Sequence, residues 1–210
     1  MIKTDEGKQM LVLQREFFTR DDVVQIAREL LGKVICTSFG SDFTSGIIIE
    51  TEAYAGIVDK ASHAYNNRRT ARTEVMYGRG GHAYVYLCYG IHSLFNIVTS
   101  VEDNPHAVLI RGIEPLMGPE IMLMRSGKQH LHSKIGIGPG NVSKLLGIHV
   151  KHSGLDMCNR DSLDGIWVED RGLIVDEKEI VVSPRVGVDY AGQDALLPYR
   201  FQWKKKKETT

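Results

Sequence analysis

Two carboxylates and a tyrosine end an otherwise apolar segment in the stretch IIIETEAY. Side chains alternate between the two faces of a β-strand, so a strand here would place Ile48, Glu50, Glu52 and Tyr54 on one face and Ala53 on the other. A strand whose buried face becomes acidic gains little stability from that change. A carboxylate in such a place can deprotonate a water molecule and stabilise a neighbouring positive charge. The stretch therefore predicts a polar or catalytic site at the end of a strand.

A second group of residues suited to a ligand lies in the stretch AYVYLCYGIHSLFNIV. Two strands joined by a tight turn near Gly90 would put Tyr84 and Tyr86 on one face and Tyr89 at the turn. A large ring at a hairpin tip is not easily buried by its own sheet. Exposed aromatic residues of this kind act as wedges or stacking platforms for nucleic-acid bases.

Two polar residues interrupt apolar segments, Asn96 in LFNIV and Arg111 in VLIRGIEP. An unpaired polar group in a core costs roughly 1–3 kcal/mol, and more when it is charged. Both side chains therefore need partners. Either Arg111 pairs with an internal carboxylate, or both residues face a polar ligand; the sequence leaves the two alternatives open.

Charge and composition exclude several classes of protein. The 26 basic and 26 acidic residues balance, so a nucleic-acid site would have to depend on local basic patches. Two such patches are NNRRTAR (66–72) and KKKK (204–207). Either patch could instead be an ordinary solvated surface without a binding role. The three cysteines are isolated, and no apolar run approaches the roughly 20 residues that span a bilayer. We expect a soluble cytoplasmic protein with reduced thiols.

Neither a metal nor a nucleotide cofactor is expected. His130 and His132 in HLH could chelate a metal with a further histidine, but no HExxH motif or cysteine pair accompanies them. The glycine-rich GRGGH lacks the spacing and the Lys-Ser/Thr pair of a phosphate-binding loop.

The surrounding segments predict an α+β domain. TRDDVVQIARELLG predicts a helix capped by Thr19, PEIMLMRS a heavily buried helix, and NVSKLLG a shorter one. Strands are predicted in KVICTS, SGIIIETEAY, the tyrosine hairpin, AVLIRGIEP (ended by Pro115), GIWVED, LIVDEKEIVVS and RVGVDY. Adjacent hairpins interrupted by helices indicate a mostly antiparallel sheet. No linker divides residues 1–210, so we expect one domain, with flexible ends at 1–16 and 203–210.

The segments IIIETEAY, SHAY, AYVYLCYGIHSLFNIV, VLIRGIEPL, GPGN with SKLLGI, and RVGVDYAG resemble the alkyladenine (3-methyladenine) DNA glycosylase family in its compact bacterial form. The resemblance runs in order from about Leu30 to Phe201. It implies one α+β domain with a curved, mostly antiparallel sheet flanked by helices, a protruding β-hairpin, and no metal or cofactor. It also implies a monomeric, nucleoid-associated base-excision-repair enzyme acting on double-stranded DNA. The implied substrates are 3-methyladenine, 7-methylguanine, hypoxanthine and ethenoadenine.

The resemblance also assigns roles to residues that match the family's motifs. Glu52 matches the general base that activates the attacking water, and Arg111 an arginine near that water and the sugar-phosphate. Tyr89 matches the residue that intercalates where the nucleotide has left the helix. Contacts with the DNA backbone are expected from nearby basic residues: Arg68, Arg69, Arg72 and Lys144. Relatives commonly carry a lysine after GPG where this chain has Asn141, which puts one backbone contact in question.

Four further matches would form the pocket for the extruded base. Tyr54 and Tyr86 match the two stacking rings, His63 a histidine on the side opposite Tyr54, and Asn96 the asparagine that excludes guanine. Stacking is worth about 1–3 kcal/mol per base, and electron-rich ring faces also attract purines made cationic by alkylation. His63 or a protonated water would assist the departure of neutral bases.

Two other functions remain open at this point. One is a non-catalytic nucleic-acid-binding module; the other is a nucleoside or sugar hydrolase using Glu50 and Glu52 as an acid–base pair. We expect Glu50 to have a supporting role. Because no lysine is placed as an amine nucleophile, we expect a monofunctional glycosylase without lyase activity.

Overall fold

The computed structural model describes residues 11–159 and 164–205. Within them, nine strands form one open sheet whose strand pairs are all antiparallel: β1 (Leu11–Val12), β2 (Val34–Phe39), β3 (Asp42–Tyr54), β4 (Ala83–Cys88), β5 (His92–Thr99), β6 (His106–Met117), β7 (Gly165–Asp170), β8 (Ile180–Ser183) and β9 (Arg200–Trp203). The helices are α1 (Arg15–Phe18), α2 (Val23–Glu29), α3 (Pro119–Ser126) and α4 (Pro139–Leu146), with 3₁₀ turns at Gly56–Val58, Tyr65–Asn67, Glu74–Tyr77, Val150–His152, Glu177–Glu179 and Asp189–Leu196. The predicted α+β class with a mostly antiparallel sheet is confirmed.

Strand β3 is the centre of the sheet. The strand order is β1-β7-β2-β3-β6-β5-β4, with β9 also beside β3 and β8 beside β9. Strand β6 runs along one edge of β3, while β2 pairs with its first half and β9 with its second half on the other edge. The acidic half of β3 therefore lies between β6 and β9, where both of its edges have hydrogen-bonding partners.

A β-bulge interrupts the regular alternation of β3. Its pairing with β6 shifts register on both sides of Glu50. Ile48 and Ala53 consequently belong to the same hydrophobic cluster, although an odd separation would place them on opposite faces of a regular strand. The prediction that Ile48 shares the face of Glu52 and Tyr54 is wrong. The bulge lets β3 bury apolar residues under the helices and still present its carboxylates on the other face.

Helices α2 and α4 cover the apolar face of the sheet. Ile26 and Ala27 of α2 pack in the main cluster with Leu145 and Leu146 of α4. The cap of α2 is Asp22, whose side chain accepts a hydrogen bond from Gln25 N (2.9 Å), so the predicted cap at Thr19 is wrong. The helix begins three residues later than predicted because the short carboxylate of Asp22 reaches the free N–H groups of the first turn.

Four further predicted elements differ in the structure. LIVDEKEIVVS forms a strand only at its end, as β8, after the 3₁₀ turn at Glu177–Glu179. Strand β6 continues through Pro115, which lies opposite Gly46 at a register shift, where a missing N–H is tolerated. Helix α3 is not heavily buried, since Met122 is its one buried residue. RVGVDY forms a loop and the start of a 3₁₀ helix at Asp189–Leu196, because Arg185 within it turns inward to an ion pair.

Parts of both ends that were expected to be flexible are held by the sheet. Strand β1 pairs with β7, and Trp203 ends β9. Lys204 N donates to Glu179 O (2.8 Å), and Lys205 pairs with Glu114. Residues 1–10 and 206–210 lie outside the described residues. No helix in the described part of the chain combines the length and apolar character needed to cross a membrane.

Gly136 marks the closest approach between β6 and the segment before α4. Ile113 N donates to Gly136 O (3.0 Å), and a Cβ added at Gly136 would lie 2.1 Å from Ile113 O. We expect Gly136→Ala to lower the free energy of unfolding by about 1–3 kcal/mol, because the two segments must separate. Gly165→Ala is the matched control, since a Cβ there meets nothing within 4 Å. Urea unfolding measures both, and an unchanged midpoint for Gly136→Ala would contradict this packing.

Candidate active site

A row of directly opposed residues crosses five strands of the sheet. Tyr84 on β4 faces Asn96 on β5, which faces Leu109 on β6; Leu109 faces Glu52 on β3, and Glu52 faces Arg200 on β9. Opposed residues in adjacent strands point to the same face. This site row therefore brings the tyrosine hairpin and the acidic end of β3 to one face, opposite the face covered by α2 and α4.

A cavity of about 230 Å³ lies over the site row. Six of the predicted site residues line it: Tyr54, His63, Tyr86, Tyr89, Asn96 and Arg111. Glu52 is fully buried and lies behind this lining, in contact with Tyr54, Arg111 and Val186, which do line the cavity. The structure thus brings these predicted residues together, with the carboxylate one side chain beneath the cavity wall.

Three groups hold the Glu52 carboxylate. The Tyr54 hydroxyl donates to Oε2 (2.9 Å), Val186 N–H donates to Oε1 (2.9 Å), and Arg111 Nε lies 3.4 Å from Oε1. Burial raises the pKa of the Glu52 carboxyl, and Arg111, the Val186 N–H and the Tyr54 hydroxyl oppose that rise. Desolvation favours the neutral acid, whereas each of the three partners favours the anion. The partners also fix the direction in which the carboxylate can accept a proton.

Arg111 satisfies both alternatives that the sequence left open. Its Nε lies 2.9 Å from Glu50 Oε1, and its side chain also lines the cavity. Arg200 Nε donates to the same Glu50 oxygen at 2.6 Å. Glu50 is buried, is absent from the cavity lining and is shared by two guanidinium groups, an arrangement that suits the supporting role expected for it.

A buried ion pair that was not predicted from the sequence lies beneath the site. Arg185 is fully buried, pairs with both carboxylate oxygens of Asp59, and donates to Ala53 O (2.9 Å) and Asp194 O (3.1 Å). Its guanidinium carbon lies 4.8 Å from the centre of the Tyr54 ring. A lone arginine in SPRVGVDYAG was the available signal, but nothing in the sequence pairs it with an aspartate 126 residues away.

His63 is held as a neutral donor on the cavity wall. Arg72 Nη2 lies 3.0 Å from Nε2, and because a guanidinium has no acceptor, Nε2 must accept. The ring proton is then on Nδ1, which donates to the Tyr84 hydroxyl (2.8 Å). Burial, with Arg72 and Arg68, lowers the pKa of His63 to about 4. His63 is therefore unprotonated at neutral pH, which argues against the expected proton donation to neutral bases.

Asn96 lies at the floor of the cavity and is almost fully buried. Its Nδ2 donates to Tyr84 O (3.1 Å) across the β4–β5 pair. The side chain is thereby fixed where a base entering the cavity would meet it. This placement fits the predicted steric role of Asn96.

The tip of the β4–β5 hairpin is an exposed apolar projection. Tyr89 is 93% exposed, with Leu87 and Ile91 exposed beside it. Tyr89 adopts a left-handed backbone conformation (φ 51°), which is uncommon for a residue other than glycine and characteristic of tight turns. Tyr89 also lines the cavity, so the projection stands at its mouth.

The four predicted backbone contacts differ in their surroundings. Arg68 is exposed, whereas Arg69 pairs with Glu74 and Asp103. Lys144 is exposed on α4 and donates to Ser126 O (3.3 Å). Arg72 lies against His63, as described above. The Asn141 amide, at the position where the sequence put one backbone contact in question, donates to Ile137 O (2.7 Å).

The site shows no arrangement suited to a metal ion in the part of the chain that the structure covers. No group of three or more His, Cys, Asp or Glu side chains among residues 11–159 and 164–205 is placed to hold one. The carboxylates nearest the cavity, Glu50 and Glu52, are occupied by arginine, tyrosine and backbone donors.

Comparisons with known proteins find relatives along most of the chain. The relatives include three proteins that each carry the name "Putative 3-methyladenine DNA glycosylase". The protein from Chlamydia abortus is 46% identical, covering 90% of this chain and 97% of its own. The protein from Methanocella arvoryzae is 44% identical (91% and 92%), and that from Bacillus cereus is 40% identical (89% and 93%).

The match to a family model covers almost the whole chain. The model of methylpurine-DNA glycosylase (MPG) aligns with residues 16–207. The match includes the acidic end of β3, the tyrosine hairpin and the loop that carries Arg185. This chain belongs to the methylpurine-DNA glycosylase family.

Proposed function

We propose that this protein hydrolyses the N-glycosidic bond of alkylated or deaminated purines turned out of duplex DNA, with water activated by Glu52. Membership of the family makes the chain a DNA glycosylase and DNA its partner. The single observation that carries the finer proposal is the placement of the Glu52 carboxylate, fixed by three donors directly beneath a cavity lined by Tyr54 and Tyr86. The substrate class comprises 3-methyladenine, 7-methylguanine, hypoxanthine and ethenoadenine.

The cavity has the features needed to receive a base from a duplex. An enzyme cannot reach the glycosidic bond inside the helix, so it must extrude the nucleotide at a cost of a few kcal/mol. Stacking on Tyr54 and Tyr86 would offset much of that cost, at about 1–3 kcal/mol per stacked base. Tyr89 at the cavity mouth would fill the gap in the helix and slow the return of the nucleotide.

The chemistry assigned to Glu52 follows from its charge and its position. As the bond between the sugar C1′ and the base nitrogen breaks, its electron pair leaves with the base and C1′ becomes oxocarbenium-like. The water oxygen then bonds to C1′ while Glu52 takes the proton, and the carboxylate charge stabilises the developing cation. Arg111, fixed by Glu50, can hold the water or the sugar-phosphate at the cavity wall.

Replacing Glu52 by glutamine tests the proposed base. Glu52→Gln keeps the size of the side chain and removes the proton acceptor, so we expect base release to slow by at least about 100-fold. Release of free base from duplexes that each carry one defined lesion, under single-turnover conditions, measures this. Glu169→Gln, which changes a buried carboxylate on β7 away from the cavity, is the matched control and should keep the wild-type rate. Wild-type release by Glu52→Gln would remove the mechanism.

The pH dependence supplies a second check on the same residue. A base must be ionised, so the rate should fall as the pH drops through the pKa of Glu52. Because burial raises that pKa, the midpoint should lie above the ordinary glutamate value of about 4.3. The rate of the wild-type protein from acidic to neutral pH measures the midpoint. Residual activity of Glu52→Gln should lack this acid limb.

Removing the ring of Tyr89 tests the proposed intercalation. We expect Tyr89→Ala to weaken binding to a damaged duplex by about tenfold, the equivalent of losing one stacked base. Fluorescence anisotropy with a labelled duplex measures the dissociation constant. Ile174→Ala is the control, because Ile174 is 82% exposed and does not line the cavity. Equal binding by both variants would argue that the hairpin tip stays outside the DNA.

We further propose that the enzyme leaves an abasic site without cutting the strand. Strand cleavage of the lyase type needs an amine that forms a Schiff base with the sugar, and no lysine lies among the cavity-lining residues in the described part of the chain. Borohydride treatment during turnover should therefore trap no covalent protein–DNA adduct. A trapped adduct would require an amine that reaches C1′ from elsewhere.

A further inference from the structure

We propose that Arg72 acts through Tyr86 as a specificity-determining residue that disfavours cationic purines, so that the pocket prefers neutral lesions such as hypoxanthine and ethenoadenine. The inference rests on the proposed function, because it concerns the charge of the base that the cavity receives. It reverses the simple expectation that electron-rich rings favour cationic alkylated purines, which holds for rings whose rear faces are free.

Arg72 lies on the side of Tyr86 away from the cavity. Its guanidinium carbon is 4.8 Å from the centre of the Tyr86 ring. Tyr86 lines both the cavity and a second groove, and Arg72 lines that second groove with Val85 and Leu87 but is absent from the cavity lining. The ring therefore has a base-binding face and a rear face, and the rear face carries a cation.

Tyr54, on the other side of the pocket, provides an internal comparison. Its ring also has a guanidinium 4.8 Å from its centre, that of Arg185. The charge of Arg185 is neutralised by a bidentate ion pair with Asp59, whereas no salt bridge to Arg72 occurs among the described residues. Of the two stacking rings, Tyr86 is thus the one backed by an uncompensated positive charge.

The carboxylate charges beneath the cavity are balanced, because Glu50 and Glu52 pair directly with Arg111 and Arg200. Arg72 is exposed and has no salt-bridge partner among the described residues, so it leaves a positive charge behind the cavity wall. The charge of Arg72 also acts on the neighbouring His63, since it contributes to lowering the pKa of that imidazole.

A cation behind the ring acts on the guest in two ways. It draws the π-electron density of Tyr86 towards its own face, which weakens attraction for a second cation on the opposite face. The guanidinium also repels a cationic base on the opposite face of the ring. The distance between the two charges is comparable to the Debye length of about 8 Å, so salt does not screen the repulsion completely. A neutral purine keeps its stacking contact with Tyr86 and experiences neither penalty.

The test compares two lesions that differ in charge. Single-turnover release of 7-methylguanine (cationic) and of hypoxanthine (neutral) is measured for wild type, Arg72→Gln and Arg72→Lys. We expect Arg72→Gln to raise the ratio of the 7-methylguanine rate to the hypoxanthine rate by about two- to fivefold, the range of an exposed cation–π contact. Arg72→Lys retains the charge and should keep a ratio near that of wild type. Losing a DNA-backbone contact would slow both reactions alike, so a ratio that stays unchanged or falls in Arg72→Gln overturns the proposal.

A second measurement separates this inference from the proposed function. NMR titration of His63 in the DNA-free protein should show its pKa rising from about 4 towards the ordinary value of about 6.5 in Arg72→Gln, but not in Arg72→Lys. If wild type releases neither base but the pKa of His63 rises in Arg72→Gln, the proposed function is wrong, while the effect of the Arg72 charge on the cavity is supported. If the His63 pKa does not move, Arg72 does not set that charge and the inference fails, whatever the enzyme releases.

Discussion

The active site depends on one buried ion pair, between Arg185 and Asp59. Its two hydrogen bonds, with those from Arg185 to Ala53 O and Asp194 O, join the end of β3 to two loops distant in sequence. The pair fixes the residue after Arg185, Val186, whose N–H binds Glu52. Removing one partner of such a pair leaves the other charge buried without a partner, which commonly lowers the free energy of unfolding by about 3–5 kcal/mol. Stability and catalysis therefore share the same contacts here.

Around that pair, the site combines buried carboxylates held by the sheet with an exposed aromatic entrance. Glu52 sits in the interior of the sheet with neighbours on both edges, so its position is set by backbone pairing. Tyr89 projects from a hairpin tip with few neighbours. A preorganised charge and an exposed ring would suit the two parts of the proposed reaction, because only the ring would have to adapt to DNA.

Much of the fold and part of the site could be predicted from local patterns. Alternation in β3 correctly placed Glu52 with Tyr54, and the hairpin correctly placed Tyr89 at its tip. The bulge at Glu50 could not be foreseen, because it depends on how β6 pairs with β3. The role of Arg185 was missed for a related reason: apolar alternation favoured a strand, whereas a partner far along the chain turned the segment inward.

The wide separation of the residues that hold Glu52 also has a consequence for synthesis. Val186 follows Glu52 by 134 residues, and Arg200, which binds Glu50, comes later still. At about 5–20 residues per second, a ribosome needs roughly 7–27 s to add that stretch. During this interval the nascent chain carries both glutamates without these partners. The contacts that hold Glu52 and Glu50 are thus among the last of the described structure to form during synthesis.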